Sequence, residues 1–309
     1  MYIETIIPKF IEEFEKRSKR EKNYVSQNTI KTYSANLQKY LLFLKKNKYE
    51  MNIKKITEDD IIIYVNELVD KKLAPATRNQ IISTLKSFFK WGKKYYQIKN
   101  PMIDVRCAYQ QRKEARYISD PDIKLILSYI DKKGGVLQVI TRTLVQSGLR
   151  ASELIYLNIK DIKFEKDGMA ICVRKGKGNK ERTLPFCIVN ENGTENTENL
   201  KLYNILKSYI RKRNNSGIGE KEALFVSNYN KRITYQGLHK KFLSLMTKLK
   251  LLEKGYTLHS CRHFCAVKLL KSKARLKVIQ VFLGHSDPLS TLRIYDHVSI
   301  SEIAEINKF

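Results

Sequence analysis

The chain has 309 residues, 42% of them hydrophobic, a formal net charge of +28 and a pI of about 9.8. That apolar content excludes a disordered chain, no stretch approaches the ~20 apolar residues that span a bilayer, and the length favours two domains, each able to bury its own core. So lopsided a charge points to a polyanionic partner, nucleic acid being the commonest; codon bias can enrich lysine but does not explain 31 acids against 59 lysines and arginines.

Met1–Phe10 carries Glu4 early and lacks a basic start followed by a long apolar run, so a secretory signal is not expected and the chain is read as cytoplasmic. Ser26 is placed to cap a helix in which Ile30, Tyr33, Leu37, Leu41 and Leu44 recur at the spacing of one buried face. Thr57-Glu58-Asp59-Asp60 has the form of a capping box with Asp for Glu, opening a second helix through Ile61, Tyr64 and Leu68. After Ala74-Pro75 a third helix puts Ile81, Ile82, Leu85, Phe88 and Phe89 on one side, Arg78, Lys86 and Lys90 largely on the other, and is expected to end at Asn100-Pro101. Residues 1–104 thus read as a small helical domain with basic outer faces, and the mixed, charged residues 105–118 as a linker.

The second domain, 119–309, starts a helix at Asp120-Pro121, with proline at its tolerated first position. Alternation in Met169–Val173 and Arg182–Pro185, around Gly176-Lys177-Gly178-Asn179, predicts a β-hairpin with a basic tip. A polar loop follows at 190–198, and helical patterns return from Leu200 to the C-terminus, interrupted near Gly217-Ile218-Gly219 and Gly255. The fold class is therefore mainly α with a small β-sheet. Five scattered cysteines, without a C-x-x-C, fit reduced thiols.

The chemistry-bearing residues lie in this second domain. On a helix through Leu258–Leu269, the residues Leu258, Cys261, Cys265 and Leu269 share one arc and read as core. His259, Arg262 and His263 share a neighbouring arc and can face a common site. Two other readings of the segment stay open at this point. One is a metal site, although the four histidine and cysteine directions diverge too far for one ion; the other is a solvated polar face. Arginine suits phosphate oxygens because its planar fork donates two parallel hydrogen bonds and stays protonated. Arg150 and Arg262 are the candidates, and Glu153, three residues on from Arg150, can hold that guanidinium by an ion pair.

Several motifs in order resemble the tyrosine recombinase or phage integrase family, including Xer-like enzymes. They are Ser147-Gly148-Leu149-Arg150-x-Ser152-Glu153-Leu154, Gly176-Lys177-Gly178-Asn179-Lys180-Glu181-Arg182, His259-x-x-Arg262-His263, Leu283-Gly284-His285-Ser286-Asp287-Pro288 and Ile294-Tyr295. Thr29-Ile30-x-x-Tyr33, Asn79 and Phe88-Phe89-x-Trp91 are similar to the family's core-binding domain. The departures include Leu258, where many members have proline, Cys261 in place of a common leucine, and an interval from His285 to Tyr295 one residue longer than in many Xer-like members.

The resemblance implies a helical N-terminal core-binding domain plus an α+β tyrosine-recombinase catalytic domain with a C-terminal tail. It implies Tyr295 as nucleophile, Arg150 and Arg262 as phosphate clamps, Lys177 as acid for the departing 5′ oxygen, and His259 and His285 in hydrogen bonding and proton transfer, with Glu153 and His263 in support. The bond energy is kept in a 3′-phosphotyrosyl link, so neither metal nor nucleotide cofactor is implied, in line with the missing GxxxxGK[ST] loop. The implied partner is double-stranded DNA with a specific recombination site, held by a homotetramer on paired sites. Lys31, Arg78, Lys86, Lys175, Lys180, Arg182, Lys240 and Lys241 are the expected DNA contacts. The tail after Tyr295, with Ile300, Ile303, Ala304 and Ile306, is expected to dock on a neighbouring subunit. Two rival functions are a catalytically dead DNA-binding protein of this fold and a type IB topoisomerase.

Overall fold

The computed structural model describes residues 1–20, 27–109, 117–174, 181–190, 193–216 and 220–284. The chain forms two compact units, Met1–Lys113 and Glu114–Phe309. Among the described residues no helix is long and apolar enough to cross a membrane.

The described part of the first unit is built on α1 (Ile3–Arg20), α2 (Gln27–Lys46), α3 (Glu58–Asp70) and α4 (Pro75–Tyr96). Helix α1 is an addition to the expected elements. Its Ile3, Ile6, Ile7 and Phe10 recur at helical spacing, and all four are buried. Phe10 sits in an aromatic cluster, its ring centroid 5.4 Å from both Phe88 and Trp91 and 5.6 Å from Phe14. A buried hydrogen bond from Asn36 Nδ2 to Thr84 Oγ1 (3.0 Å) ties α2 to α4. The capping box of α3 forms as expected: Thr57 N donates to Asp60 Oδ2 at 2.8 Å and Asp60 N to Thr57 Oγ1 at 3.3 Å.

Helix α4 stops earlier than its proline signal suggested. Gln97 turns into the left-handed region at φ 52° and Ile98 folds back on Gly92, where a Cβ would come within 2.6 Å of Ile98 Cδ1. The packed chain then runs past residue 104. Val105 is buried, and Ala108 exchanges hydrogen bonds with Asn79 at 2.7 and 2.9 Å. Residues 110–116 of the expected linker lie outside the described residues.

The second unit contains α5 (Asp120–Lys133), α6 (Gly135–Ser147), α7 (Ala151–Tyr156), strands β1 (Ile162–Glu165), β2 (Gly168–Val173) and β3 (Arg182–Cys187), then α8 (Thr197–Ser216), α9 (Tyr235–Lys248), α10 (Leu258–Lys271) and α11 (Leu276–Leu283). The expected hairpin is β2 with β3, Ile171 opposite Leu184 and Met169 opposite Phe186; β1 adds a third antiparallel strand, with Ile162 opposite Ile171. Ile171, Leu184 and Phe186 share one core with Leu144 of α6, Leu202 and Leu206 of α8 and Leu258 of α10.

Arg142, 1% exposed, joins three helices in that core. Its Nε donates to Asp131 Oδ1 and its Nη1 to Glu198 Oε2, both at 2.8 Å, and the guanidinium holds the Asp131 carboxyl far below the usual carboxylate range. Between α8 and α9 the expected helical pattern gives way to extended turns over 220–233. Ile233 N donates to Phe225 O (3.0 Å) and Ser227 N to Lys231 O (2.8 Å), because the contiguous buried run Ala223-Leu224-Phe225 pairs as an extended segment against Asn158 and its own return.

Candidate active site

The site is built where α6, α7, β3, α10 and α11 place their ends. Helix α6 terminates at Gly148, in the left-handed conformation at φ 58°. A Cβ there would lie 2.7 Å from Leu283 Cδ2 and 3.1 Å from Cys265 Sγ, so glycine is needed both for the turn and for the close approach of α10 and α11. Two residues later Arg150 starts α7, and its backbone N–H donates to Glu153 Oε2 at 2.8 Å.

Glu153 is the centre of the arrangement, its side chain 1% exposed. Arg150 Nη1 donates to its Oε1 at 2.7 Å, Arg182 donates Nη1 to Oε1 at 3.0 Å and Nη2 to Oε2 at 2.9 Å, and Arg262 Nη1 stands 4.0 Å from Oε2. Burial alone would push the Glu153 carboxyl up, but Arg182, then the Arg150 N–H and guanidinium, hold it below the usual range. Three guanidiniums against one carboxylate leave a formal surplus of two positive charges.

The same three arginines cap the C-terminus of α11. Arg182 Nε donates to Phe282 O (2.9 Å), Arg262 Nη2 to Leu283 O (2.6 Å) and Arg150 Nη2 to Gly284 O (2.9 Å). Those carbonyls have no acceptor role within the helix and sit at its negative end, so cations there are favoured twice. Arg262 also donates Nη1 to Gly148 O at 2.7 Å, closing the tie between α6, α10 and α11. Its side chain is 3% exposed; desolvation and then Arg150 push its pKa down to about 9, opposed by Glu153, and it stays protonated at neutral pH. Arg150, at 24%, is the most open of the three.

His259 lies in the first turn of α10, its ring 4.7 Å from that of His263 in an edge-to-face pair. Desolvation, then the positive charges of Arg262 and Arg150, hold its pKa below the ordinary histidine value. The residue is open to solvent, which limits the first cause and leaves the two guanidiniums as the durable one. Cys261 and Cys265 are buried, with both thiols pushed up to about 12, as core residues are.

The structure therefore gathers Arg150, Glu153, His259, Arg262 and His263. It also brings in Arg182, which was expected among the DNA contacts. Arg182 is only 10% exposed, and its donors go to Glu153 and Phe282 O. The sequence signal for this was thin: Arg182 is the first residue of β3 and points the same way as buried Leu184 and Phe186. Lys31, on α2, and Lys240, on α9, are exposed; Arg78 and Lys86 on α4 and Lys241 on α9 are half-buried. Lys175, Lys177, Lys180, His285, Tyr295 and the tail with Ile300, Ile303, Ala304 and Ile306 lie outside the described residues.

Residues 116–302 match the phage integrase family, and residues 11–94 match the phage integrase N-terminal SAM-like domain. A tyrosine recombinase XerD from Oceanobacillus iheyensis is 29% identical over 287 residues, 91% of each chain. Among solved structures, the XerH site-specific recombinase in a post-cleavage complex on palindromic difH substrate superposes with a TM-score of 0.70 at 21% identity, covering 89% of this chain and 78% of that one. A lambda integrase tetramer bound to a Holliday junction gives 0.68 at 16% identity, covering 93% and 78%. The chain belongs to the phage integrase family of tyrosine recombinases, enzymes that cut and rejoin DNA strands.

Proposed function

We propose that this chain carries out site-specific strand exchange between DNA duplexes through a 3′-phosphotyrosyl intermediate, in integration, excision or replicon dimer resolution. The observation that carries the reading is the convergence of Arg150 and Arg262 on the last carbonyls of α11, directly ahead of the segment that bears His285 and Tyr295.

In this reading the Tyr295 oxygen attacks the phosphorus, and the bond to the 5′ oxygen breaks. Arg150 and Arg262 neutralise the non-bridging oxygens as the phosphorus becomes five-coordinate. His259, neutral at pH 7 because its pKa is held down, accepts the phenolic proton, and Lys177 delivers a proton to the 5′ oxygen. His285 donates a hydrogen bond to the phosphate, while Glu153 and His263 support the groups beside them. A 5′-hydroxyl of the second duplex then attacks the phosphotyrosine and releases the phenol. Bond energy is conserved, so the chemistry asks for neither metal nor nucleotide.

The partner is duplex DNA with a recombination site, bound by a homotetramer in the cytoplasm, with four tyrosines serving four cuts. Lys31, Arg78 and Lys86 of the first unit, and Lys175, Lys180, Lys240 and Lys241 of the second, contact phosphates. The C-terminal tail docks on a neighbouring subunit. A pool of nicked duplexes of randomised sequence tests the reading: the intact chain should retain a covalent DNA adduct, and Tyr295→Phe should retain none. Binding without any adduct from the intact chain would point to a non-catalytic DNA-binding protein instead, and relaxation of plasmids irrespective of site to a topoisomerase.

A further inference from the structure

We infer that Arg182 is a positioning residue of the cleavage site and not a DNA contact: it fixes Arg150 through Glu153 and fixes the root of the tyrosine-bearing segment through Phe282 O. The inference rests on the proposed function and adds a residue to it.

Three independent contacts support the assignment. First, Arg182 spans Glu153 with two parallel bonds, 3.0 and 2.9 Å, one to each carboxylate oxygen. A carboxylate held this way cannot rotate, so the oxygen that receives Arg150 Nη1 at 2.7 Å and the one that receives the Arg150 backbone N–H at 2.8 Å stay fixed. Second, its remaining Nε donates to Phe282 O at 2.9 Å, one residue before the carbonyl taken by Arg262 and two before that taken by Arg150. Third, Gly284 passes directly over the guanidinium: a Cβ at Gly284, whose φ is 67°, would lie 2.8 Å from Arg182 Nη1 and 3.0 Å from Cζ. The residue that follows this crossing in sequence is His285.

The geometry also removes Arg182 from the pool of free cations. Its side chain is 10% exposed and all three of its nitrogens already donate. A single ammonium cannot reproduce this. Lysine offers one point charge where the fork reaches two carboxylate oxygens and a carbonyl.

The test uses the full chain and the nicked duplex that the intact protein captures best, prepared also with sulfur in place of the bridging 5′ oxygen. Arg182→Met and Arg182→Lys are compared with the intact chain for DNA affinity across a salt series and for the rate of adduct formation at saturating DNA. The expected result is unchanged affinity and salt slope, with a cleavage rate lower by on the order of 10²-fold for methionine. Lysine should fall between the two, and the sulfur leaving group, which needs no proton, should restore neither variant. Thermal unfolding identifies any variant that fails to fold, and the lysine variant then carries the comparison.

A salt slope reduced by about one unit would show that Arg182 neutralises a phosphate, overturning the inference. Rescue by sulfur would mean that Arg182 acts on the proton donor and not on Arg150, with the same result, and so would an unchanged cleavage rate. If the intact chain captures no duplex, the proposed function itself fails, an outcome distinct from intact cleavage that Arg182 variants share.

Discussion

Replacing Glu153 by glutamine tests whether one buried carboxylate organises the site. The substitution keeps the shape and one oxygen for the Arg150 N–H, but removes the charge that Arg150, Arg182 and Arg262 surround. Two of those guanidiniums are 10% exposed or less, so they cannot recover the loss by turning to water. Removing one partner of a buried ion pair costs about 3–5 kcal/mol because the other charge is left uncompensated. For a folding unit of this size that corresponds to a fall of roughly 6–20 °C in Tm. Urea unfolding at pH 7 measures it directly, and a loss below about 1 kcal/mol would refute the reasoning, since that is the size of a solvent-exposed pair.

The acid limb supplies a second check on the same substitution. The folded Glu153 carboxyl titrates below its ordinary value of 4.5. Its stabilisation is thus complete above that value and is lost as pH falls through the lower folded pKa. The gap in stability between the intact chain and Glu153→Gln should be constant above about pH 5 and shrink on further acidification.

Gly284→Ala introduces a Cβ at φ 67° against the Arg182 guanidinium, and is expected to cost about 1–2 kcal/mol in urea unfolding and to slow adduct formation as well. His259→Ala should lower the adduct rate by about 10²–10⁴-fold. In the intact chain the rate should fall with acid only below the ordinary histidine value, because the proposed acceptor is the neutral ring and its pKa is held down; a pH–rate series on the nicked duplex reads this. Thr57→Ala removes the capping box of α3 and should cost about 1 kcal/mol in stability while leaving the adduct rate at saturating DNA unchanged. Asp131→Ala leaves two donors of buried Arg142 without their acceptor while Glu198 still balances its charge, and should cost about 1–3 kcal/mol by the same assay.

The helices were legible wherever one face is apolar and a cap is local. Thr57 and Asp60 announce α3, and the alternation around Ile171 and Leu184 announces β2 and β3. Local pattern was insufficient where a distant contact decides. The end of α4 is set by Ile98 folding onto Gly92, not by Pro101, and Leu224 and Phe225 are extended because Asn158 and Arg232 pair with their neighbours. In the site, Arg150, Glu153, His259 and Arg262 could be nominated from residue type and spacing, since helical offsets of three and four bring side chains together. Arg182 could not. Its partners, Glu153 and Phe282, are 29 and 100 positions away, and a basic residue beside a lysine-rich hairpin has the same local signature whether it meets a phosphate or a carboxylate.

That pairing bears on why the arginines meet at a helix end. A buried guanidinium has five N–H groups to satisfy, and in the proposed function the site must leave some of them free for phosphate while holding the rest still. A second carboxylate would satisfy them but cancel the charge that the anion needs. Backbone carbonyls at the close of α11 satisfy donors without adding a formal negative charge, so Arg150 and Arg262 stay immobile and the cluster keeps its surplus of two positive charges. Since the same carbonyls belong to the residues immediately before His285, the arrangement of the arginines and the origin of the segment leading to Tyr295 are set by one set of hydrogen bonds. A change that displaces the end of α11 should therefore slow cleavage even when every residue assigned to the chemistry is intact.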